Sequence, residues 1–567
     1  SKGEGIESGE ICSRELSVCL CSFSSIHSFF SSALMAKDKE RDKEKRMFVG
    51  YVWNCAAELK LLLAALLIVC SVATLFQFLP FRFSLSASDL GHCLSHPDVL
   101  SGSKLAVGAS PTTSPPAAAP LPLPQLPSPP PPSPPLSPPQ FPPPPPSLGR
   151  DRTLPNTAIK RAFNPFGAAA YNFILMSAYR GGPNTFAVVG LASKPLHVFG
   201  DPAYQCEWIP LPSARNRALP EPLSAAAYKI LPDWGYGRVY TAVVVNCTFP
   251  RSVGSDGAGG KLVFYASTGG GGDRNFNLTD RIEALEEAPG ALDPSLFGSP
   301  PRYEYLYCGS PLYGDLSPQR VREWMAYHVR LFGGRSHFAI YDAGGVHDGV
   351  RDVLKPWMEL GYVTVHDIRD QERFDGYYHN QFVVVNDCLH RYKFHAKWMF
   401  FFDADEFIYV PPRKSLRSVV DSLSGYTQFT IEQMPMSSEL CFSADSGKTS
   451  KRWGFEKLVY RDVKRGIRRD RKYAVQPRNV LATGVHMSQN LAPSSRTTHH
   501  TEHHLKYFHY HGTIAQRRDP CRKFLNDTSL TLTGVPYVLD TTMRSLAGPV
   551  RAFELRTIGR RLWRTPQ

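Results

Sequence analysis

None of the twelve cysteines forms a Cys-x-x-Cys pair, so a zinc ribbon and a thioredoxin-type redox motif are both excluded. Zinc-finger spacing and the RNA-recognition signature are also missing, and a net charge of +14 is moderate for 567 residues. Nucleic acid therefore drops out as a partner. The positive balance points instead to nucleotide phosphates, polyanionic glycans or a membrane surface. Residues 1–34 are Ser- and Cys-rich and lack any periodic apolar pattern, and the chain starts at Ser1. Met35 opens MAKDKERDKEKRMF, which reads as a natural start, so residues 1–34 are expected to be a gene-model artefact.

Long apolar runs are scarce, with one exception. Residues 61–79 (LLLAALLIVCSVATLFQFL) carry no charge and match the ~20 residues a helix needs to cross a bilayer. Lys37, Lys39, Arg41, Lys43, Lys45, Arg46 and Lys60 precede them. The excess of positive charge places residues 1–60 in the cytosol and the remainder in a lumen. A cleaved signal peptide competes with this reading, but the run exceeds a usual signal core, and Phe78, Pro80 and Phe81 make a poor cleavage site. Sequons at Asn246, Asn277 and Asn526 fit the secretory lumen as glycosylation sites. Seven cysteines follow the run (Cys93, Cys206, Cys247, Cys308, Cys388, Cys441, Cys521), an odd number in an oxidising compartment. Cys206 with Cys247 is a candidate bridge within one domain.

Residues 80–157 form a stem dominated by the proline tract of residues 111–147, which is a stiff polyproline or disordered spacer with no core. Residues 158–300 change character. Short runs such as FAVVGLA, VYTAVVVNC and KLVFYAS alternate with Gly, Pro and Asp clusters, the pattern of a small all-β module. Its many aromatics, Trp208, Tyr228, Trp234 and Tyr240 among them, serve either a core or sugar stacking.

Residues 301–567 alternate strand and helix patterns, which implies an α/β domain with a mainly parallel sheet. The run of residues 398–411 (WMFFFDADEFIYVP) stands out. A continuous apolar stretch reads as a buried strand, and it ends in Asp403, Asp405 and Glu406. Ligands of open α/β sheets sit beyond the carboxyl ends of strands. Two carboxylates two residues apart suit Mg²⁺ or Mn²⁺ with diphosphate oxygens completing the shell. The competing reading is a solvated acidic turn. Asp342, after the strand pattern HFAIY, suits either ribose or base hydroxyls or a plain turn.

The motifs YCGSPLYG, HFAIYDAGG, NDC with Arg391 nearby, FFDADEFIYVP, RWGFEKLVYR, PRNVLATGVH and FHYHG follow in that order. Over residues 303–522 the chain resembles glycosyltransferase family 92, and its N-terminus and β-module match the plant galactan-forming subgroup of that family. The resemblance implies a GT-A fold, an inverting mechanism, UDP-galactose as donor, Mn²⁺ (or Mg²⁺) as cofactor and β-1,4-galactan of pectin as acceptor. It also implies a carbohydrate-binding upstream module, nucleotide-sugar contacts at Tyr341, Asp342, Asp387 and Asp403, and a type II Golgi membrane protein, with a homodimer left open.

In such a transfer, charge grows on the departing diphosphate, and a divalent metal stabilises it. Asp405 is the expected direct ligand, Asp403 a second ligand or ribose contact, and His509 of FHYHG the late histidine, with His486 and His511 as rivals. The general base should be a carboxylate after the metal motif. Glu456 is the first candidate, with Glu432 and Asp445 as alternatives, although a salt bridge to Lys457 or Arg452 explains Glu456 equally well. The basic segment 457–478 reads as a solvated face or as a lining for diphosphate or an acidic pectin backbone. Three further readings stay open: a related UDP-pentopyranose donor, a non-catalytic wall-glycan-binding protein, and a metal-dependent phosphohydrolase, for which a nucleophile motif is lacking.

Overall fold

Two strand patterns of the module, FILMSAYR and TFAVVGLAS, are apolar on both faces, and the structure shows why. In the computed structural model the strands are β1 (Phe173–Arg180), β2 (Thr185–Ser193), β3 (Ala203–Pro210), β4 (Leu223–Ile230), β5 (Tyr240–Thr248), β6 (Gly260–Thr268) and β7 (Leu278–Glu287). They pair antiparallel in the order β7-β6-β3-β4-β5-β2-β1, closed at one edge by Asn164–Phe166. Strand β4 turns the corner: its first half pairs with β3 and its second half with β5. The sheet thus folds into two layers around Phe173, Leu175, Phe186, Val188, Trp208 and Phe264. Successive side chains of a strand face opposite ways, so Ile174, Met176, Val189 and Leu191 point outward. They enter a second core shared with the α/β domain. A disulfide joins Cys206 of β3 to Cys247 of β5, both fully buried.

The described residues are 151–166, 171–194, 202–212, 221–234, 239–268, 278–466, 470–515 and 517–565. The expected cytosolic segment, the membrane span at 61–79, most of the stem, Cys93 and Asn277 lie outside them. Among the described residues no helix is long and apolar enough to cross a membrane.

The α/β domain begins with β8 (Tyr303–Cys308), α1 (Pro318–Phe332), β9 (Ser336–Asp342), α2 (Asp348–Glu359), β10 (Val363–Asp367), α3 (Gln381–Arg391) and β11 (Ala396–Phe401). These four strands are parallel in the order β10-β9-β8-β11. Beyond β11 the sheet becomes mixed, through β12 (Glu406–Tyr409), β13 (Gln428–Pro435), β14 (Arg471–Val475) and β15 (Lys506–His509), in the order β11-β14-β13-β15-β12. At the other edge Ile159–Lys160 pairs parallel with β10 and antiparallel with Arg152–Thr153. Residues 151–160 therefore belong to the sheet of the α/β domain, where a stem and module start were expected.

Helix α3 sits between the module and this sheet, its Val383, Val384 and Leu389 packed in the shared core. A charge cluster is sealed in the same interface. Arg161 places its Nη1 2.7 Å from Asp387 Oδ2 and its Nε 2.7 Å from Asp151 Oδ1. Ser177 and Tyr179 of β1 and Tyr341 of β9 donate hydroxyls to Asp387 at 2.7, 2.6 and 2.6 Å. Arg391 closes the group on Asp151. Burial would raise the Asp387 carboxyl, but Arg161, Arg391 and the hydroxyls outweigh it and hold it far below the ordinary range.

Candidate active site

The strand order reverses between β8 and β11, and at such a switch point the chain ends diverge and leave a crevice. Gly309 follows β8, and a Cβ there would lie 2.5 Å from the Phe402 carbonyl, so only glycine lets the two strand ends meet this closely. A disulfide between Cys308 and Cys388 ties the end of β8 to α3, and another joins Cys441 to Cys521. In the chain-entropy description, loops of this length stabilise by about 4 kcal/mol each. The crevice is a cleft of about 810 Å³. Ser310, Gln381, Asp403, Asp405, Glu406, Lys472, His509 and His511 line it, with Tyr313, Tyr377, Tyr378 and Trp234 among the apolar wall.

The DADE run supplies its floor. Ser310 donates to Asp403 Oδ1, Gln381 reaches Ser310, and Lys472 Nζ lies 2.7 Å from Asp403 Oδ2. Burial would raise the Asp403 carboxyl; Lys472 outweighs burial and holds it below the usual range. Glu406 folds back and accepts from the Asp403 amide at 2.7 Å. Its carboxyl is pushed up to about 8 by burial, against the pull of Lys472.

Asp405 faces the other way, toward β15 and the turn after it. Its Oδ2 accepts from the Gly512 amide at 2.8 Å and its Oδ1 lies 3.6 Å from His509 Nε2. Gln433 Nε2 stands 2.5 Å from His509 Nδ1 and fixes the ring. Burial lowers the His509 pKa, but the hydrogen bond to Asp405 and the nearby Glu406 raise it on balance. Donor atoms of Asp405, His509 and His511 lie within 4.8 Å of one another. One carboxylate and two imidazoles on one side of an open cleft fit a first-row divalent cation with free positions, and fit Mn²⁺ better than the purely oxygen-seeking Mg²⁺.

Of the histidines considered for a metal, His509 and His511 both stand beside Asp405. His486 also lines the cleft, but its Nδ1 is 3.3 Å from the Arg471 carbonyl. Among the described residues of the basic segment 457–478, Asp470 and Lys472 reach the cleft, whereas Lys457 is buried against the Thr449 carbonyl and Asp519.

Several expected contacts are corrected. Tyr341 and Asp387 are bonded to each other in the sealed interface cluster and do not line the cleft. Asp342 is buried, and its Oδ1 caps a turn by accepting from the Gly344 and Val346 amides at 2.8 and 3.0 Å. Glu456 pairs with Arg551, lies 3.8 Å from Arg452, and caps its own helix through the Trp453 amide, which is the structural role. Asp445 is likewise held by Arg452 and Arg544. Glu432 neighbours Gln433 on β13, and since Gln433 enters the cleft Glu432 faces away. Among the sequons, Asn526 is exposed, while the Asn246 side-chain nitrogen is buried in β5 with no hydrogen-bond partner.

The carboxylates that line this cleft are therefore Asp403, Asp405, Glu406 and Asp470. Sequence reasoning passed over Asp470 and Lys472 because they sit in a run of like charges that reads as solvent-facing. Their position next to an apolar β-pattern, KYAV, is the one local signal that they sit at a strand end.

Comparison with known proteins places the fold and cleft in context. The family model described as Glycosyltransferase family 92 matches residues 303–541. Galactan beta-1,4-galactosyltransferase GALS3 of Arabidopsis thaliana is 54% identical over 540 residues, covering 94% of this chain and 100% of that protein. GALS2 of the same plant, with the same activity in its name, is 55% identical over 541 residues with the same coverage. Beta-1,4-galactosyltransferase galt-1 of Caenorhabditis elegans is 28% identical over 219 residues, 37% of this chain and 49% of that protein. Cleft residues from Ser310 to Gly512 all fall inside the matched segment. The chain belongs to glycosyltransferase family 92.

Proposed function

We propose that the protein extends β-1,4-galactan by inverting transfer of galactose from UDP-galactose, on a GT-A-type domain with Mn²⁺ as cofactor. The observation that carries this reading is the convergence of Asp405, His509 and His511 beside Asp403 and Lys472 at the sheet's switch point. Two full-length relatives named as galactan beta-1,4-galactosyltransferases support the substrate class. Asp405, His509 and His511 would hold the metal, which supplies positive charge for the departing diphosphate. Lys472 adds a second, fixed positive charge on the same side, while Asp403 orients it. Ser310 and Gln381, at the start of α3, hold Asp403 in place.

The base follows by chemistry. Asp403 is paired with Lys472, Asp405 faces the histidines, and Glu406 is bonded to backbone below them. Asp470 is exposed on the cleft wall and is assigned to take the proton from the attacking hydroxyl. In the cell, residues 61–79 would anchor the protein in the Golgi membrane with the catalytic domain in the lumen.

The decisive experiment incubates the protein with UDP-galactose, Mn²⁺ and a labelled β-1,4-galacto-oligosaccharide. Ladder extension is expected, lost with chelator and in Asp405→Ala. An Asp470→Asn enzyme should retain oligosaccharide and UDP binding but lose turnover. Extension from a UDP-pentose in preference to UDP-galactose, or none with either donor, would refute the assignment.

A further inference from the structure

Among the described residues, the module reaches into the cleft through Trp234. Trp234 follows the end of β4, lines the cleft and is 59% exposed. Its backbone is held in the left-handed region at φ 50°, a conformation that costs a bulky residue free energy and persists only when the surroundings enforce it. They do. Asp233 is buried and accepts from Thr241 Oγ1 at 2.6 Å and the Ala242 amide at 3.0 Å, and the Trp234 amide donates to the Leu231 carbonyl at 3.0 Å.

The catalytic domain presents a matching loop. Tyr377 and Tyr378, 43% and 58% exposed, also line the cleft. Tyr378, His379 and Asn380 are three consecutive non-glycine residues with φ between 50° and 60°. Asn380 pins this strained run, donating to Gln371 Oε1 at 2.6 Å and to the Phe374 carbonyl at 2.8 Å, and the His379 ring stacks on Tyr313 at 3.9 Å. The two loops are bolted together. Amides of Val239 and Tyr240 both donate to the Asp375 carbonyl at 3.2 Å, and Tyr171, Tyr240 and Phe374 pack as an aromatic trio beneath.

Two strained turns from two domains thus hold exposed aromatic rings in a cleft that continues to Asp405, His509 and His511. Aromatic rings offer a rigid apolar face with little entropy to lose on contact, which suits the apolar face of a pyranose ring. We propose that Trp234, with Tyr377 and Tyr378, forms a subsite for the acceptor glycan chain, so that the module completes the active site rather than only tethering polysaccharide elsewhere. This rests on the galactosyltransferase reading for its readout in turnover, though not for its readout in binding.

The test compares Trp234→Ala, Trp234→Phe and Tyr378→Ala with wild type in the full chain. Binding of a β-1,4-galacto-oligosaccharide and of UDP with Mn²⁺ is titrated calorimetrically, beside KM for each substrate and the rate of UDP-galactose hydrolysis without acceptor. Expected is a rise of about tenfold in acceptor Kd and KM for Trp234→Ala, with UDP affinity, donor hydrolysis and melting temperature unchanged and most of the loss restored in Trp234→Phe. Unchanged acceptor binding would overturn the proposal. Equal loss of UDP affinity would overturn it too, by assigning the rings to the nucleobase. A wild type that binds the oligosaccharide but transfers nothing would defeat the galactosyltransferase reading alone, and the binding arm would still decide this one.

Discussion

Two clusters of opposite charge lie within the same fold and do different work. At the interface, Asp387 and Asp151 face Arg161 and Arg391, and every one of these side chains is nearly or wholly buried. In the cleft, Asp403, Asp405, Glu406, Lys472 and His509 form a similar list of types, but Asp403 keeps about a third of its side chain exposed. The first cluster is closed: two carboxylates face two guanidinium groups away from solvent, and three hydroxyls donate to Asp387. The second is open: three donor atoms of Asp405, His509 and His511 converge on a cation-sized space at its mouth. Balanced charge sealed from solvent makes a joint; a similar cluster left open at a strand end makes a site. Composition does not separate the two, whereas exposure does.

Breaking the open cluster should cost activity and spare the fold. Asp405→Ala is expected to lower transfer by about 10³-fold or more, since it removes the proposed metal ligand, worth several kcal/mol in the transition state; its melting curve should overlay wild type. Breaking the closed cluster should do the reverse. Asp387→Ala leaves two buried guanidinium groups sharing the single carboxylate of Asp151, a loss of about 3–5 kcal/mol, seen as a shifted denaturant midpoint. A melting temperature unchanged in Asp387→Ala would end the comparison.

Titration separates the regions as well. Burial depresses the pKa of His337 to about 4 and of His328 and His390 to about 3. The unfolded chain binds protons at these histidines below about pH 6.5 while the native chain does not, so their contribution is intact above 6.5 and lost as pH falls toward 4. Each forfeits about 1.4 kcal/mol per pH unit over that window. Thermal melts between pH 7.5 and 4.5 should fall steadily, and His328→Leu should flatten the slope. The smallest effect sharpens the contrast: replacing Arg161 and Asp387 together by Met and Leu should cost far less than Asp387→Ala alone, because a buried pair removed whole leaves no stranded charge.

How much of this was legible in the sequence depends on distance along the chain. The floor of the cleft was readable because a fully apolar strand running into DADE is a local pattern, and FHYHG likewise keeps His509 and His511 on one turn. The all-β then α/β order was readable from periodicity. Asp387 was not, because its five partners lie up to 226 positions away (387 less 161), and a carboxylate in a helix pattern looks the same whether it faces a nucleotide or a buried arginine. Glu456 misled for a related reason: the aromatic wall beside it is core, and Arg551 comes from the last helix, Ala547–Ile558. Trp234 stood among many aromatics of the module, and only the folded structure tells the exposed one from Trp208, which is 1% exposed in the sandwich.

The sealed joint around Asp387 also bears on how such a chain can change over generations. A recombination event that exchanged the β-module for another would cut Ser177 and Tyr179 away from Asp387, and the outward row of Ile174, Met176, Val189 and Leu191 away from α3. The incoming module would have to bring the same hydroxyls and the same apolar row in register. The two parts are therefore expected to be inherited together, as one heritable unit, and to diversify by substitution rather than by shuffling.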